Sequence, residues 1–278
     1  MGEAPSFFYF STMSQNSLRF GIHDFLNTQP LIKQVLPRWE KEGFSIVVDV
    51  PSALADRLKD GQLDLAMIPA VEYLREAANY RLVPGVCIAS RGDVGTVLLL
   101  SKVAPEKIRS IALDHRSRTS VALLKILFPL DKSVQFESTT PQPGEMLSRH
   151  DAALIIGDRA LEYRPGSHIH VFDLSREWFD RTGKTFVHAV VAVRQEVVLK
   201  KNQLNFILNV RREAVDHIDA VVEDYVKETG RDAGICEDYL KNKIIYNLGE
   251  QEMEGLNLFH SFCIEHGIIL SKDEILLL

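Results

Sequence analysis

The chain has 278 residues, 46% hydrophobic and 25% charged, which is too apolar for a disordered protein and long enough to bury one large core or two modest ones. Its 32 Lys and Arg against 38 Asp and Glu leave a net charge of -6, which argues against non-specific nucleic-acid binding because that needs a basic face to displace counterions. No apolar run approaches the roughly 20 residues that span a bilayer, so no membrane partner is expected.

In chain order, the short apolar patch at 7–10 has no basic residue before it, unlike a signal peptide, and the protein is expected in the cytoplasm. Met13 offers an alternative start, with residues 1–12 a loose extension. Residues 18–22 and 44–50 (FSIVVDV) read as strands with a helical stretch between them. Pro51 opens a helix that Gly61 stops, 63–69 (LDLAMIP) reads as a strand, and 71–80 has helical spacing. Residues 82–90 and 94–101 are two more strands, and 107–114 begins the same alternation again. A helix over 119–128, strands at 134–137 and 152–156, a short helix after Gly157-Asp158 and a strand at 186–193 follow. From Gln195 onward an apolar stripe of helical period runs to Gly230, with a break expected at 209–212, and helices near 235–245 and 250–266 close the chain.

Strand–helix alternation predicts an α/β protein with mixed, mostly parallel sheets. Two lobes are expected: residues 14–104 joined by a helical C-terminal part over 196–278, and an inserted lobe over 105–195. The cleft between two such lobes is the expected ligand site, because closure desolvates a small molecule from both sides. Cys87, Cys236 and Cys263 are far apart, form no CxxC pair and have no histidine at metal-ligand spacing, so buried free thiols and no metal site are expected.

Within this frame, Ser117, Arg118, Thr119 and Ser120 lie between a strand and an apolar helix, where free backbone N–H groups and the helix dipole favour a carboxylate or phosphate. The competing reading is simple N-capping by Ser117. Asn27 follows the first strand, at the carboxyl end where open α/β sheets hold ligands, and turn formation ahead of Pro30 explains it equally well. Thr96, after Gly92 and Gly95, either faces the cleft or belongs to a hairpin. Gly157 and Asp158 open another helix, whose free N–H groups are expected to bind a second anionic group of the substrate; the competing reading of Asp158 is a charge that favours the helix dipole. His23, His115 and His188 lie near the expected cleft and read as structural histidines, while the adjacency of His23 and Asp24 on a strand turns their side chains apart. P-loop, GxGxxG, GxSxG and HExxH motifs are missing, which weakens nucleotide, hydrolase and zinc-protease readings.

The stretches GIHDFLNTQPL (21–31), GQLDLAMIPAVEYLR (61–75), YRLVPGVCIAS (80–90), IALDHRSRTSVALLKILF (111–128), LIIGDRAL (154–161) and DLSREWFDRTGKTFVHAVVAVR (173–194) resemble the chorismate dehydratases of the futalosine route to menaquinone. The resemblance implies a two-lobed periplasmic-binding-protein fold of type II and loss of water from chorismate to give 3-[(1-carboxyvinyl)oxy]benzoate, with no cofactor or metal. It places the family's active-site asparagine on Asn27, its inter-lobe hydroxyl on Thr96, where relatives usually carry serine, and its carboxylate site on Ser117, Thr119 and Ser120. Thr185 stands where relatives usually have proline, which implies a changed turn. Two alternatives share the fold: a cytoplasmic module that binds a small carboxylate, and the related naphthoate synthase, for which His115 or His188 would serve as base.

Overall fold

Two five-stranded sheets organise the chain, and the computed structural model describes them within residues 17–33, 36–270 and 273–278; the patch at 7–10 and the Met13 start lie outside the described residues. β1 (Leu18–Ile22) leads through α1 (Gln29–Ile32) and α2 (Leu36–Lys41) to β2 (Phe44–Val48). Pro51 opens α3 (Pro51–Lys59), since a proline at the first helical position gives up no intrahelical bond. β3 (Leu65–Pro69) is buried at every position, as its unbroken apolar run requires, and α4 (Ala70–Arg75) and β4 (Tyr80–Ser90) follow.

The second sheet begins with β5 (Val97–Ser101) and β6 (Ser110–Asp114), followed by α5 (Thr119–Leu127) and β7 (Gln135–Thr139). Then come α6 (Pro143–Arg149), β8 (Ala152–Ile156), α7 (Asp158–Glu162), β9 (His170–Asp173) and α8 (Leu174–Thr182), before β10 (Phe186–Arg194) returns to the first sheet. The strand orders are β2-β1-β3-β10-β4 and β7-β6-β8-β5-β9. In the first sheet β1 pairs parallel with β2 and β3, while β10 lies antiparallel between β3 and β4. In the second, β6 pairs parallel with β7 and β8, while β5 lies antiparallel between β8 and β9. Parallel and antiparallel pairings are therefore equal in share, because each sheet admits one strand that arrives from the other lobe without a βαβ crossover.

That exchange moves the expected lobe boundaries. β5, expected in the first lobe, is an inner strand of the second sheet, and β10, expected in the inserted lobe, is an inner strand of the first. The chain thus changes sheet between β4 and β5 and again between α8 and β10, and the hairpin reading of Gly92 to Thr96 falls because β4 and β5 never pair. α6, β9 and α8 are elements beyond those the residue pattern predicts.

The C-terminal part is helical as expected, but α9 (Lys201–Asp216) passes through 209–212 without a break. Val210 keeps the stripe buried while Asn209 and Arg212 bond each other, so nothing there interrupts the ladder. The helix breaks at His217, where α10 (Ile218–Thr229) starts, and Gly230 in the left-handed region ends it. α11 (Ala233–Asp238) continues into a π-helical turn, Tyr239–Lys243, and α12 (Glu250–Glu265) packs on β10. The free edge of β4 is covered by Ile245, bonded to Ala89, and by Leu276 to Leu278, bonded to Leu82. All three cysteines are buried and free. Among the described residues no helix is long and apolar enough to cross a membrane.

Candidate functional site

Residues from both sheets and from the C-terminal segment line one cleft. Much of its wall is apolar, including Phe25, Pro51, Pro69, Ile88, Val97 and Ile156, and a small set of polar groups converges on it.

The first group is the N-terminus of α5. β6 ends at Asp114, whose fully buried carboxylate holds the Arg116 guanidinium through two bonds of 2.9 and 2.6 Å and so fixes the turn that follows. Ser117 to Ser120 all line the cleft. The helix starts at Thr119, and among the described residues no side chain caps it and the buried Ser117 hydroxyl has no partner, so the capping alternative does not hold. Thr119 Oγ1 instead accepts from the Val71 N–H at 3.3 Å and ties α5 to α4. Arg118 lines the cleft with part of its length, but its guanidinium is bound to Asp56 and Glu72 of the first lobe at 2.7 and 3.1 Å. What remains for a ligand is the first-turn N–H groups, the Ser117 hydroxyl and Ser120, a set of donors suited to an anion.

The second group joins Asn27 and Thr96 through a residue that sequence reasoning misses. Asn27 Nδ2 donates to the Tyr239 hydroxyl at 3.0 Å, and the same hydroxyl lies 3.2 Å from Thr96 Oγ1. Tyr239 is buried, and desolvation pushes its phenol pKa well up, so it stays protonated. With Asn27 donating to its oxygen, the phenol proton is free for Thr96, and the Thr96 proton in turn for the cleft. Asn27 Oδ1 is buried with no partner among the described residues, and Asn27 lines the same space. Tyr239 opens the π-helical turn, a distortion that recurs at functional sites and that residue spacing does not reveal.

Gly157 and Asp158 part company. Gly157 lines the cleft with φ of 67°, and a Cβ there would press on the Phe25 ring at 3.3 Å. The Asp158 carboxylate accepts from the Leu26 N–H at 3.0 Å and the Tyr225 hydroxyl at 2.8 Å and pairs with Arg231 at 3.1 Å, so it joins the second lobe to the first. Burial is the main cause of a pKa raised to about 6 there. Arg116, the other residue missed, lines the cleft with its guanidinium 5.1 Å over the Phe25 ring. Of the histidines, His115 bonds the Thr139 carbonyl away from the cleft. His23 and His188 line it, and burial holds both rings neutral by lowering their pKa values to about 3 and about 4. His23 is buried and Asp24 exposed, but both lie past the end of β1 at Ile22, so strand alternation is not what separates them.

Comparison with known proteins bears on this arrangement. A family described as menaquinone biosynthesis matches residues 18–265. A chorismate dehydratase of Thermus thermophilus is 31% identical over 234 residues, 78% of this chain and 86% of the relative. Another from Campylobacter jejuni is 27% identical over 248 residues, covering 88% and 96%. Among solved structures, an Archaeoglobus fulgidus protein superposes with a TM-score of 0.71 at 16% identity, covering 92% of this chain and all of that one. The periplasmic aliphatic sulphonate binding protein of Escherichia coli gives 0.60 at 17% identity, covering 94% and 91%. These two likenesses bear on the fold, a periplasmic-binding-protein architecture of two lobes.

Proposed function

Since this chain belongs to the menaquinone biosynthesis family, we propose that it is a chorismate dehydratase, a carbon–oxygen lyase that eliminates water from chorismate. The observation that carries the reading is the uncapped α5 terminus, with the unpartnered Ser117 hydroxyl, sharing one cleft with the Asn27–Tyr239–Thr96 chain.

The reaction removes the proton on the ring carbon that bears the enolpyruvyl ether and expels the neighbouring hydroxyl as water. The ring becomes aromatic, so the substrate supplies the driving force and the protein supplies orientation and charge placement. The departing proton is vinylogous to the ring carboxylate, so negative charge develops on that carboxylate as a dienolate. Donors at the α5 terminus stabilise it there: the first-turn N–H groups, Ser117 and Ser120. The elimination is redox-neutral and needs no electron carrier.

A base must take the proton. His23 and His188 are neutral imidazoles, and a pKa of about 3 or 4 makes each a poor base. The substrate's own enolpyruvyl carboxylate is close to the proton by covalent structure, and in this account it is the base. The Asn27 amide positions that carboxylate, the Thr96 hydroxyl donates a hydrogen bond to the leaving oxygen, and the proton taken by the carboxylate passes to that oxygen, which leaves as water. Arg118 and Asp158 keep the lobes together around the substrate rather than touching it.

Steady-state turnover of chorismate by Asn27→Ala, measured beside the unaltered protein, tests the assignment. A fall in kcat of about a hundredfold with an unchanged circular dichroism spectrum is expected, the usual cost of one well-placed polar group. Full turnover with unchanged KM would remove Asn27 from the mechanism.

A further inference from the structure

His188 occupies an unusual place in the first sheet. Val187 pairs with Ala89 and Ala189 with Ile88, so β10 holds one residue more than β4 at this point, and that extra residue is His188. A bulge of this kind re-aims a side chain and recurs beside active sites. Here it turns the imidazole so that it lines the cleft while Nε2 meets Ser90 Oγ at 2.7 Å. Ser90 Oγ lies in turn 2.6 Å from Ser175 Oγ, and both serines are fully buried.

Counting donors gives this chain a direction. Among the described residues Ser175 Oγ has only Ser90 Oγ as partner, so its proton is satisfied only by donating there. Ser90 then donates its own proton to His188 Nε2. The reverse order would strand the Ser175 proton in the interior, at the full cost of an unmade bond. Nε2 is thereby an acceptor, and the single proton of the neutral ring resides on Nδ1, the edge turned from the serines. Burial, which holds the ring neutral, is consistent with this tautomer.

We propose that His188 is a tautomer-locked hydrogen-bond donor, presenting Nδ1–H to an anionic oxygen of the substrate, the ring carboxylate at the α5 terminus. The site of donation follows from packing: α5 lies against β10, and Ser117 to Ser120 line the cleft with His188. A neutral donor suits an oxygen that gains charge in the transition state, because it strengthens with that charge yet leaves no cation buried beside the apolar wall. The second half rests on the chorismate reading; the tautomer does not.

The test uses the full chain with ¹⁵N-labelled histidine. The two-bond correlation pattern of the His188 ring, identified by its loss in His188→Gln, should show a protonated Nδ1 and a bare Nε2 in the free protein. With chorismate, His188→Phe should raise KM or lower kcat by about tenfold to a hundredfold, the loss of one bond to a charged group, and His188→Gln should recover part of it through its amide donor. Ser90→Ala should release the tautomer and reduce turnover in the same direction. A protonated Nε2 in the unaltered protein overturns the proposal, as does His188→Phe with unchanged kcat and KM. If the unaltered protein fails to consume chorismate, the functional reading falls, and the tautomer spectrum alone decides whether His188 is the donor described.

Discussion

Tyr239 shows how much of the site depends on one atom. Its hydroxyl accepts from Asn27 across 212 positions of sequence and reaches Thr96 across 143, so removing it releases both ends at once. Tyr239→Phe should lower kcat for chorismate by about tenfold or more through lost orientation, while costing only about 1 kcal/mol of stability for the missing bonds. An unchanged kcat would make the link incidental. Those separations also explain what could be read beforehand. Asn27 and Ser117 to Ser120 were legible because they follow strands, where ligands of such sheets collect. Tyr239 lies in a helical segment whose local pattern says nothing of a cleft, and the segment is held there by the Ile245 bonds to the β4 edge and the Arg231 pair with Asp158. Arg116 lies just before the Ser117 to Ser120 stretch, but a charge between His115 and Ser117 reads as solvated until its carboxylate partner is seen.

Among the elements, the apolar strands were the clearest in sequence, since a run such as Leu65–Pro69 has few alternatives to a buried strand. α8 was harder: it buries Leu174, Ser175 and Trp178 against an otherwise polar surface, and β9 is largely exposed, so neither shows a strong period. The expected lobe boundaries follow the strand–helix alternation along the chain, whereas β5 and β10 are assigned by hydrogen-bonded partners far away in sequence. α12 carries a constraint that can be measured. A Cβ on Gly255 would lie 1.9 Å from the Thr185 carbonyl oxygen, which is backbone of the segment leading into β10 and cannot rotate aside. Gly255→Ala should therefore destabilise the fold by about 3 kcal/mol, the upper range for overpacking, seen as a lower denaturant midpoint. A midpoint unchanged within error would mean that α12 shifts freely on β10. Because β10 also carries His188, turnover should fall with stability in that variant.

For the molecule as a whole, several ionic links join the lobes, and the buried titratable groups around the cleft respond to pH in opposite senses. Arg118 bridges to Asp56 and Glu72, Lys243 to Asp93, and Asp158 to Leu26, Tyr225 and Arg231. His23 and His188 have folded pKa values of about 3 and about 4, below the ordinary value, so the unfolded chain binds their protons first. Their stabilisation is complete above about pH 6.5 and is lost on acidification, at up to about 1.4 kcal/mol per pH unit for each. Asp158, raised to about 6, has the opposite sign: its protonated form is favoured in the fold, so it gains stability as pH falls from 6 towards 4. The buried Asp173 carboxyl, also raised by desolvation, acts with Asp158, while Asp64, Asp93 and Glu213, held low by their cationic partners, act with the histidines; urea midpoints should decline from pH 7 to pH 4.5, more steeply in Asp158→Asn, and a flat or rising profile would contradict this balance. The same closed arrangement is what places a carboxylate-binding helix terminus opposite the Asn27–Tyr239–Thr96 chain, and the central claim is that chorismate is dehydrated between them. The most direct test is to incubate the purified protein with chorismate, without added metal or nucleotide, and follow the products by liquid chromatography and mass spectrometry. The account predicts an aromatic product lighter than chorismate by one water; chorismate returned unchanged, while calorimetry still detects its binding, would make the protein a carboxylate binder and contradict the account.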